Sequence, residues 1–209
     1  MLVLTIDQRG SRKRGDRIEG LLDLLHGRPI AKQFVRSFER TAGDEIQGLL
    51  DKPELVVEVT LSLLRAGDWY VGVGLGTVWT PIPTSVRAAT GPAFHNAREA
   101  VERAKRTPRH VAVTGPNATA AAEAEGLLRL LGAVVGRRSG AGWEVAALME
   151  NGHTQKDVAR ILGITPQAVS QRLRSGLWQE EQQNRPLAAR LLALADDPLA
   201  TTPGPTAGP

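Results

Sequence analysis

Two aspartates stand where their carboxylates could act together. Asp7 follows a short apolar run and precedes Gly10 by three residues, and Asp44 lies in the turn-forming segment 41–45. If the strands on both sides of that turn neighbour the first strand in a sheet, the two carboxylates converge at one edge. Carboxylates beside glycine backbone suit a hard cation held against a phosphate chain. The spacing therefore predicts a metal site at Asp7 and Asp44, with Mg²⁺ as the possible cofactor.

A basic cluster follows the first of these aspartates. Its members are Arg9, Arg12, Lys13 and Arg14. Guanidinium and ammonium groups pair with phosphate oxygens, so the cluster would suit the anion that the cation holds. Each of these residues is ordinary turn chemistry when taken alone, and only their combination indicates a site.

The segment 154–174 places helix caps, a turn glycine and apolar residues in a specific order. Thr154 and Thr165 are of the types that cap helices, and Pro166 fits the first turn of a second helix. Gly163 fits a turn that needs positive φ. The predicted buried positions are Val158, Ala159, Leu162, Ile164, Val169 and Leu173. This order is similar to the helix-turn-helix of bacterial regulators and of the promoter-reading end of sigma factors.

The outward face of the second of these helices is polar and basic. In a helix-turn-helix this helix enters the major groove, where glutamine pairs with adenine and arginine with guanine. Asp157 is the only acid between residues 151 and 179, so we expect double-stranded DNA as the partner. The alternative is a helical hairpin used for dimerisation. The residues expected to contact DNA are Thr154, Gln155, Lys156, Thr165, Gln167, Ser170, Gln171, Arg172 and Arg174.

The elements that would position these residues follow an α+β pattern. Apolar spacing predicts strands or extended segments at 2–7, 33–40, 46–50, 69–78 and 111–113, and helices at 15–26, 92–105, 118–131 and from Pro53 onward. Segment 143–149 fits a strand or a helix, and the chain beyond residue 152 is predicted to be helical. The expected fold is an α/β sandwich with a ferredoxin-like or cyclase-like sheet, followed by a small all-α helix-turn-helix domain.

Two further patterns concern packing. In segment 71–76, apolar residues alternate with Gly72, Gly74 and Gly76, so one face of that strand has no side chains and another element must approach it closely. A later apolar stripe is expected to close the helix-turn-helix core or to pair with a second subunit. Its members are Trp178, Leu187, Leu191, Leu192 and Leu194.

Length and composition limit the class of protein. The chain has 209 residues, a formal net charge of +4 and no cysteine, which excludes a disulfide, a thiolate zinc site and a cysteine nucleophile. We predict a cyclase-like α/β domain at 1–150, the helix-turn-helix domain at 151–196 and a disordered tail at 197–209. With no secretion signal or spanning segment, we expect a cytoplasmic protein without a membrane partner.

The charge is unevenly distributed along the chain. Residues 1–40 and 87–110 each carry four more basic than acidic side chains, and residues 154–176 carry three more. Residues 42–70 carry four more acidic than basic side chains. Basic excess therefore coincides with the helix-turn-helix and with the predicted phosphate site, whereas the excess at 87–110 has no explanation from sequence.

The order of motifs in residues 1–150 resembles the class III nucleotidyl cyclases. In that family a first-strand aspartate precedes a glycine, a hairpin carries Gly-Asp, and Gly-Pro-Ala opens a later helix. The corresponding residues are Asp7 and Gly10, Gly43 and Asp44, and Gly91 to Ala93. The resemblance implies a nucleotide ligand with Mg²⁺. The residues implied in nucleotide binding are Gly10, Ser11, Arg12, Arg40, Gly43 and Arg98.

The chain departs from the cyclase pattern where the family stabilises its transition state. The family has Asn and, four residues later, Arg, but this chain has His95 and Glu99. Arg98 is one residue out of place, and Arg40 replaces the lysine that selects the base. Because these donors stabilise developing charge, their absence predicts poor turnover. We therefore expect a degenerate cyclase-like domain that binds a ligand.

The whole arrangement is more similar to the SatD family of bacterial proteins. The resemblance rests on the initial aspartate-containing strand, on Thr-Ala-Gly-Asp-Glu at 41–45 and on Gly-Pro-Ala-Phe at 91–94. Members of this family are treated as transcriptional regulators. The resemblance therefore implies a regulator rather than a defined enzymatic activity.

These observations favour a DNA-binding transcriptional regulator whose degenerate cyclase-like domain senses a ligand or forms a homodimer. The alternative is a divergent metal-dependent nucleotidyl cyclase, or another nucleotide-binding enzyme, with a regulatory helix-turn-helix tail. A scaffold that binds only protein is a third interpretation.

Overall fold

A computed structural model describes residues 1–198, apart from the side chains of Arg12 and Arg14. The predicted tail beyond residue 198 lies outside the described residues. The strands are β1 (Leu2–Gln8), β2 (Arg36–Ala42), β3 (Glu45–Leu50), β4 (Trp69–Leu75) and β5 (Val111–Thr114). The helices are α1 (Ser11–Arg14), α2 (Ile18–His26), α3 (Pro53–Ala66), α4 (Pro92–Ala104), α5 (Ala118–Arg137), α6 (Gly140–Glu150), α7 (Gln155–Leu162), α8 (Pro166–Ser175) and α9 (Trp178–Asp196). None of these helices has both the length and the apolar character needed to cross a membrane.

Within residues 1–198, the strands form one mixed five-stranded sheet in the order β2-β3-β1-β4-β5. β1 lies antiparallel to both β3 and β4, β2 and β3 form an antiparallel hairpin, and β5 is parallel to β4. The register places Asp7 opposite Glu45 on one side and Tyr70 on the other. The α+β class predicted from the sequence is confirmed.

Helices cover both faces of the sheet, and Val3, Leu4, Thr5 and Ile6 of β1 are fully buried. On one face, Leu4 and Ile6 pack with α2, α3, α5 and α9 in the main hydrophobic core. On the other face, Val3 and Leu49 pack against α4 and the loop that precedes it. Successive residues of a strand point to opposite faces, so Asp7 shares the α4 face with Val3.

The glycines of β4 allow α4 to lie directly on the sheet. A Cβ atom added at Gly72 would lie 2.4 Å from the carbonyl oxygen of Ala97, and one at Gly74 would lie 2.1 Å from the Ala97 nitrogen. Both distances are far shorter than a van der Waals contact, so no larger residue fits there. Ala93, Ala97 and Ala100 of α4 are fully buried against the strand. The predicted close approach to the glycine face is confirmed, and the approaching element is α4.

Helices α6, α7 and α8 pack around a second, smaller core. Its buried members are Val145, Val158, Ala159, Val169 and Leu173. Segment 143–149, which fitted a strand or a helix by sequence, is therefore helical and packs with the helix-turn-helix. The domain division at residues 150 and 151 stays a prediction, but the packing groups α6 with the helices that follow it.

Helix α9 returns from the small core to the sheet. Trp178 at its start packs with the small core, whereas Leu192 near its end is buried in the main core with α3 and α5. The other members of α9 in the main core are Ala188, Ala189 and Ala195, with Leu191 and Leu194 packed beside them. The expectation that this stripe closes the helix-turn-helix core or pairs with a second subunit is wrong for Leu191, Leu192 and Leu194, because the sheet domain covers these residues.

A buried ion pair ties α9 to the end of α5. The side chains of Arg138 and Glu181 are only 1% and 0% exposed, and their charged atoms lie 2.8 Å apart. The Arg138 guanidinium also donates two hydrogen bonds to the Gly176 carbonyl, at 2.9 and 3.1 Å. The Trp143 ring lies 4.3 Å from this guanidinium and 3.7 Å from that of Arg65. These contacts fix the position of α8 and α9 relative to α5.

Candidate functional site

The helix-turn-helix begins with a capping box. The Thr154 hydroxyl accepts a hydrogen bond from the Asp157 backbone N–H at 3.2 Å, and the Asp157 carboxylate accepts one from the Thr154 backbone N–H at 3.1 Å. The hydrogen bonds from Thr154, together with Arg160, hold the pKa of Asp157 below its usual range. The acid within the motif is therefore ionised in the cap of α7.

The turn between α7 and α8 has the geometry that the sequence predicts. Gly163 has φ of 64°, in the left-handed region, and the Ile164 N–H donates to the Ala159 carbonyl at 3.0 Å. Thr165 caps α8 by accepting a hydrogen bond from Ala168 at 3.1 Å, and Pro166 is the first residue of the helix. Each of these local predictions is confirmed. The two helices also pack against each other through Val158 and Val169 in the small core.

The second helix presents its predicted reading residues to solvent. Gln167, Gln171 and Arg174 are exposed, and Ser170 beside them is half-buried. None of these side chains has a hydrogen-bond or ion-pair partner within residues 1–198. On α7, Gln155 and Lys156 are exposed in the first turn. These six side chains are free to meet a ligand.

Three of the predicted DNA contacts have other partners in the structure. Arg172 is half-buried, with its guanidinium 3.9 Å from the Glu144 carboxylate of α6. The hydroxyls of Thr154 and Thr165 serve as helix caps, and that of Thr154 also donates to Asp157 at 2.6 Å. The side chains of Thr154 and Thr165 are therefore already hydrogen-bonded, as is the backbone N–H of Thr154.

The two predicted metal ligands lie side by side at one end of the sheet. Asp7 is at the end of β1, and the Gln8 N–H beside it donates to the Asp44 carbonyl in the β2–β3 turn at 3.2 Å. The structure therefore brings Asp7 and Asp44 together as the sequence predicts. Within the described residues, no group of three or more acidic or histidine side chains is arranged to hold a metal ion.

Lys105 occupies the position that a cation would take next to Asp7. Its ammonium lies 2.7 Å from the Asp7 carboxylate and 2.6 Å from that of Glu102. Burial raises the pKa of Asp7, aided by the charges of Asp44 and Glu102 and opposed by Lys105. Burial alone would lower the pKa of Lys105, but its two carboxylate partners outweigh that effect and raise the pKa well above its usual range. Lys105 is therefore charged and competes with any metal for Asp7.

The residues predicted to hold a phosphate chain are fixed by local contacts. Gly10 precedes α1, which begins at Ser11, and the Gln8 side chain pins the end of this loop through the Gly15 carbonyl and the Arg17 N–H at 2.6 and 2.9 Å. Because the Arg12 side chain lies outside the described part of the structure, its predicted role stays a prediction.

The residues of the β2–β3 hairpin that were predicted to bind nucleotide are also held by local contacts. Gly43 turns the chain with φ of 57°, and its carbonyl accepts a hydrogen bond from Arg40 at 2.7 Å. Arg40 also pairs with Asp16 at 2.6 Å, and this contact helps to hold the pKa of Asp16 below its usual range. The guanidinium of Arg40 thus links the hairpin to the loop after β1.

Arg98 lies on a different surface from Arg40. Its side chain is 64% exposed, with the guanidinium 3.5 Å from the Glu45 carboxylate. Together with Arg87 and His95, it lines a polar cavity of about 350 Å³ between the hairpin and the start of α4. The basic excess at 87–110, unexplained by sequence, is in part the lining of this cavity.

Comparisons with protein-family models, with curated proteins and with solved structures find no match for this chain. The resemblances to the cyclases and to the SatD family therefore stay predictions.

Two residues that sequence analysis did not single out bear on these sites. Arg137, the last residue of α5, is exposed and lines a cavity of about 490 Å³ together with Gln171 and Arg172 of α8. Lys105 was counted only as part of a basic stretch. Neither role has a signal in the sequence, because each depends on which distant element packs alongside.

Proposed function

We propose that this chain is a DNA-binding transcriptional regulator that reads the major groove with α8. The observation that supports this most directly is the exposed outward face of a rigidly capped helix, formed by Gln167, Gln171 and Arg174. Glutamine and arginine are the side chains that pair bidentately with adenine and guanine. An α-helix of this kind fits the width of the major groove.

The surroundings of α8 support the same proposal. Lys156 and Gln155 in the first turn of α7, and Arg137 at the end of α5, flank the recognition helix with exposed polar or basic side chains. Phosphate contacts of this sort position a protein on the duplex without reading its sequence. We do not expect Arg172 to act as a free phosphate ligand, because Glu144 already pairs with it.

The sheet domain would serve as the sensing or dimerising part of the regulator. Its first four strands have the β-α-β-β-α-β connectivity of ferredoxin-like sheets, which supports the proposed cyclase-like and SatD-like ancestry. The ammonium of Lys105 at Asp7 supports the view that the ancestral metal site has degenerated. A regulator of transcription would act in the cytoplasm as a homodimer on a two-fold symmetric operator.

A salt titration tests the leading proposal. Labelled duplex DNA is titrated with the full chain by fluorescence anisotropy at several salt concentrations, with the complex mass measured in parallel. We expect binding that weakens steeply with salt, by about 0.9 logarithmic units of affinity per logarithmic unit of salt for each phosphate contact. Absence of binding at low salt would refute the proposed function, and a complex with one chain per duplex would refute the dimer.

The second candidate is a divergent metal-dependent nucleotide enzyme. The observation that favours it is the adjacency of Asp7 and Asp44 at one end of the sheet. Incubation with ATP or GTP and Mn²⁺ tests it directly. A cyclic product that disappears in Asp44→Ala would establish the enzyme, whereas absence of product in the wild type would leave the regulator as the better account.

Replacing Lys105 by glutamine should strengthen metal binding at these aspartates. The Lys105 ammonium now satisfies Asp7, and a unit positive charge about 4 Å from a bound cation costs about 1–4 kcal/mol near a protein surface. We therefore expect Mn²⁺ to bind at least about tenfold more tightly to Lys105→Gln than to wild type. The free aquo ion is followed by electron paramagnetic resonance during titration of the protein.

Lys32→Gln is the matched control, since Lys32 is exposed in the turn before β2, away from Asp7. It should leave Mn²⁺ affinity unchanged. Asp44→Ala in the Lys105→Gln background should remove the gain. If the gain persists without Asp44, the two aspartates do not form one site.

A further inference from the structure

A small cavity of about 140 Å³ lies at the ends of β1, β4 and β5, against α3 and α5. Three basic side chains reach it, those of Arg9, Arg109 and His110, and the other lining residues are apolar or glycine. No acidic residue of the described chain lines the cavity. A space bounded by cationic and neutral groups has the polarity that a small anion requires.

Two polar atoms of the residues that line this cavity are buried without a partner. The Nε of Arg9 and the Nδ1 of His110 have almost no solvent exposure and no hydrogen bond within residues 1–198. The rest of the Arg9 guanidinium is held in place, because Nη1 donates to the Gly67 carbonyl at 2.5 Å and the Tyr70 ring lies 5.6 Å away. A buried polar atom without a partner costs about 1–3 kcal/mol, so a group that satisfies both atoms would be stabilising.

The backbone at His110 is in an unusual conformation. Its φ is 57°, in the left-handed region that side chains other than glycine adopt at a cost. The surroundings hold it there: its N–H donates to the Thr107 carbonyl at 3.2 Å, and its carbonyl accepts from the Val71 N–H at 2.8 Å. The Tyr70 ring packs edge-on against the imidazole at 5.2 Å. Conformations of this kind are concentrated at ligand sites, where they position a side chain.

We propose that this cavity binds a small tetrahedral oxyanion of the phosphate class, held by Arg9, Arg109 and His110. Arginine matches the geometry of phosphate oxygens with hydrogen bonds strengthened by charge. Hydrogen phosphate carries both acceptor oxygens and an O–H group, so it pairs with Nδ1 of His110 whichever ring nitrogen bears the proton. The site is independent of the proposed DNA interface and lies apart from the cavity at Arg98.

The electrostatics of His110 agree with an anion site. Burial lowers the pKa of His110, and the positive charges of Arg9 and Arg109 lower it further, with the Ala104 carbonyl opposing them. Tyr70 of β4 is a further titratable group in contact with the imidazole, and Asp68 lies one residue before β4. A bound dianion would offset the two arginines and raise the pKa of His110 toward or above its ordinary value.

Titration of the full chain with inorganic phosphate tests the site. We expect a single binding event by calorimetry and, by nuclear magnetic resonance, an increase in the pKa of His110 when phosphate is present. Arg109→Ala should weaken phosphate binding about 10- to 100-fold, because a hydrogen bond to a charged group is worth about 1.5–3 kcal/mol. His110→Asn, whose asparagine tolerates the left-handed conformation, should weaken it without unfolding the chain.

Arg106→Ala is the matched control, since Arg106 is exposed in the same loop region but does not line the cavity. It should leave phosphate affinity unchanged. A comparable loss in Arg106→Ala would show a general charge effect and overturn the site, as would a wild type that shows no heat and no shift of the His110 resonance at millimolar phosphate. Sulfate serves as the second probe, and tighter binding of sulfate than of phosphate would overturn the role given to the O–H group.

Discussion

Replacing Gln171 and Arg174 together by alanine is expected to abolish sequence preference in DNA binding while leaving weak, salt-sensitive binding. Both side chains are exposed on α8 and have no partner within the described chain, so their loss leaves the fold intact. A bidentate contact to the correct base is worth about 1–3 kcal/mol of discrimination, so the specific site should lose about two to four powers of ten in affinity. Binding to random duplex should fall less, because the phosphate contacts proposed for Lys156 and Arg137 are unchanged.

The double replacement Gln183→Ala and Arg190→Ala is the matched control. Both residues are of the same types, and both are exposed on α9 away from the recognition helix. A preferred site is first selected from random duplexes with wild type, and affinity for selected and random duplexes is then measured for each variant. Equal loss on both duplexes in the α8 variant would show that these residues contact only phosphates. If both double variants show the same affinities for the selected and the random duplex, α8 is not the helix that reads the sequence.

Replacing Arg138 by alanine is expected to destabilise the chain by about 1–3 kcal/mol, because the buried Gly176 carbonyl loses its donor and the buried Glu181 carboxylate keeps only Arg185 as a partner. The side chain is 1% exposed, pairs with the fully buried Glu181, and bonds the Gly176 carbonyl at the end of α8. The loss therefore leaves a carboxylate and a carbonyl without that donor. Urea unfolding followed by circular dichroism measures the free energy of unfolding.

Arg137→Ala provides the control for stability, since Arg137 precedes Arg138 but is exposed. It should change the free energy of unfolding by no more than about 0.5 kcal/mol. The double variant Arg138→Met with Glu181→Leu should lose less stability than the two single variants together, because no isolated charge is left. Additive losses would show that the two side chains do not depend on each other. A small loss in Arg138→Ala would show that the pair is not required to join α5 to α9.

The two predictions with the largest expected effects concern different properties of helices α8 and α9. Arg138 and Glu181 hold α8 and α9 in place, and Gln171 and Arg174 are the residues that we propose read the DNA. A stability variant that lowers DNA affinity should do so equally for selected and random duplexes. Only the α8 variants should change the ratio between them.

The sequence alone predicted the features that depend on near neighbours. The caps at Thr154 and Thr165 and the turn at Gly163 are correct because each is determined by residues within one helical turn. The strand face without side chains at Gly72 and Gly74 was also predictable from the sequence, because successive residues of a strand point to opposite faces whatever packs on them.

The sequence predicted contacts between distant segments of the chain less well. The apolar stripe of α9 shows that the helix has a buried side, but not whether the small core or the sheet covers Leu192. From the sequence, Arg172 is predicted to contact phosphate. In the structure, α6 places the Glu144 carboxylate beside its guanidinium. The small helix α1 was not predicted, because four residues carry too little periodicity.

What the sequence determined by itself is the set of elements and the chemistry each could offer: an α+β chain without cysteine, a capped helix-turn-helix with a polar face, and two aspartates next to turns. Only the tertiary structure decided how that chemistry is used. It placed Lys105 at Asp7, aligned Arg137 with α8, and gathered Arg9, Arg109 and His110 around one cavity. The physical reason is that charges and hydrogen bonds act over a few ångströms, and those distances are set by packing between segments far apart in the chain.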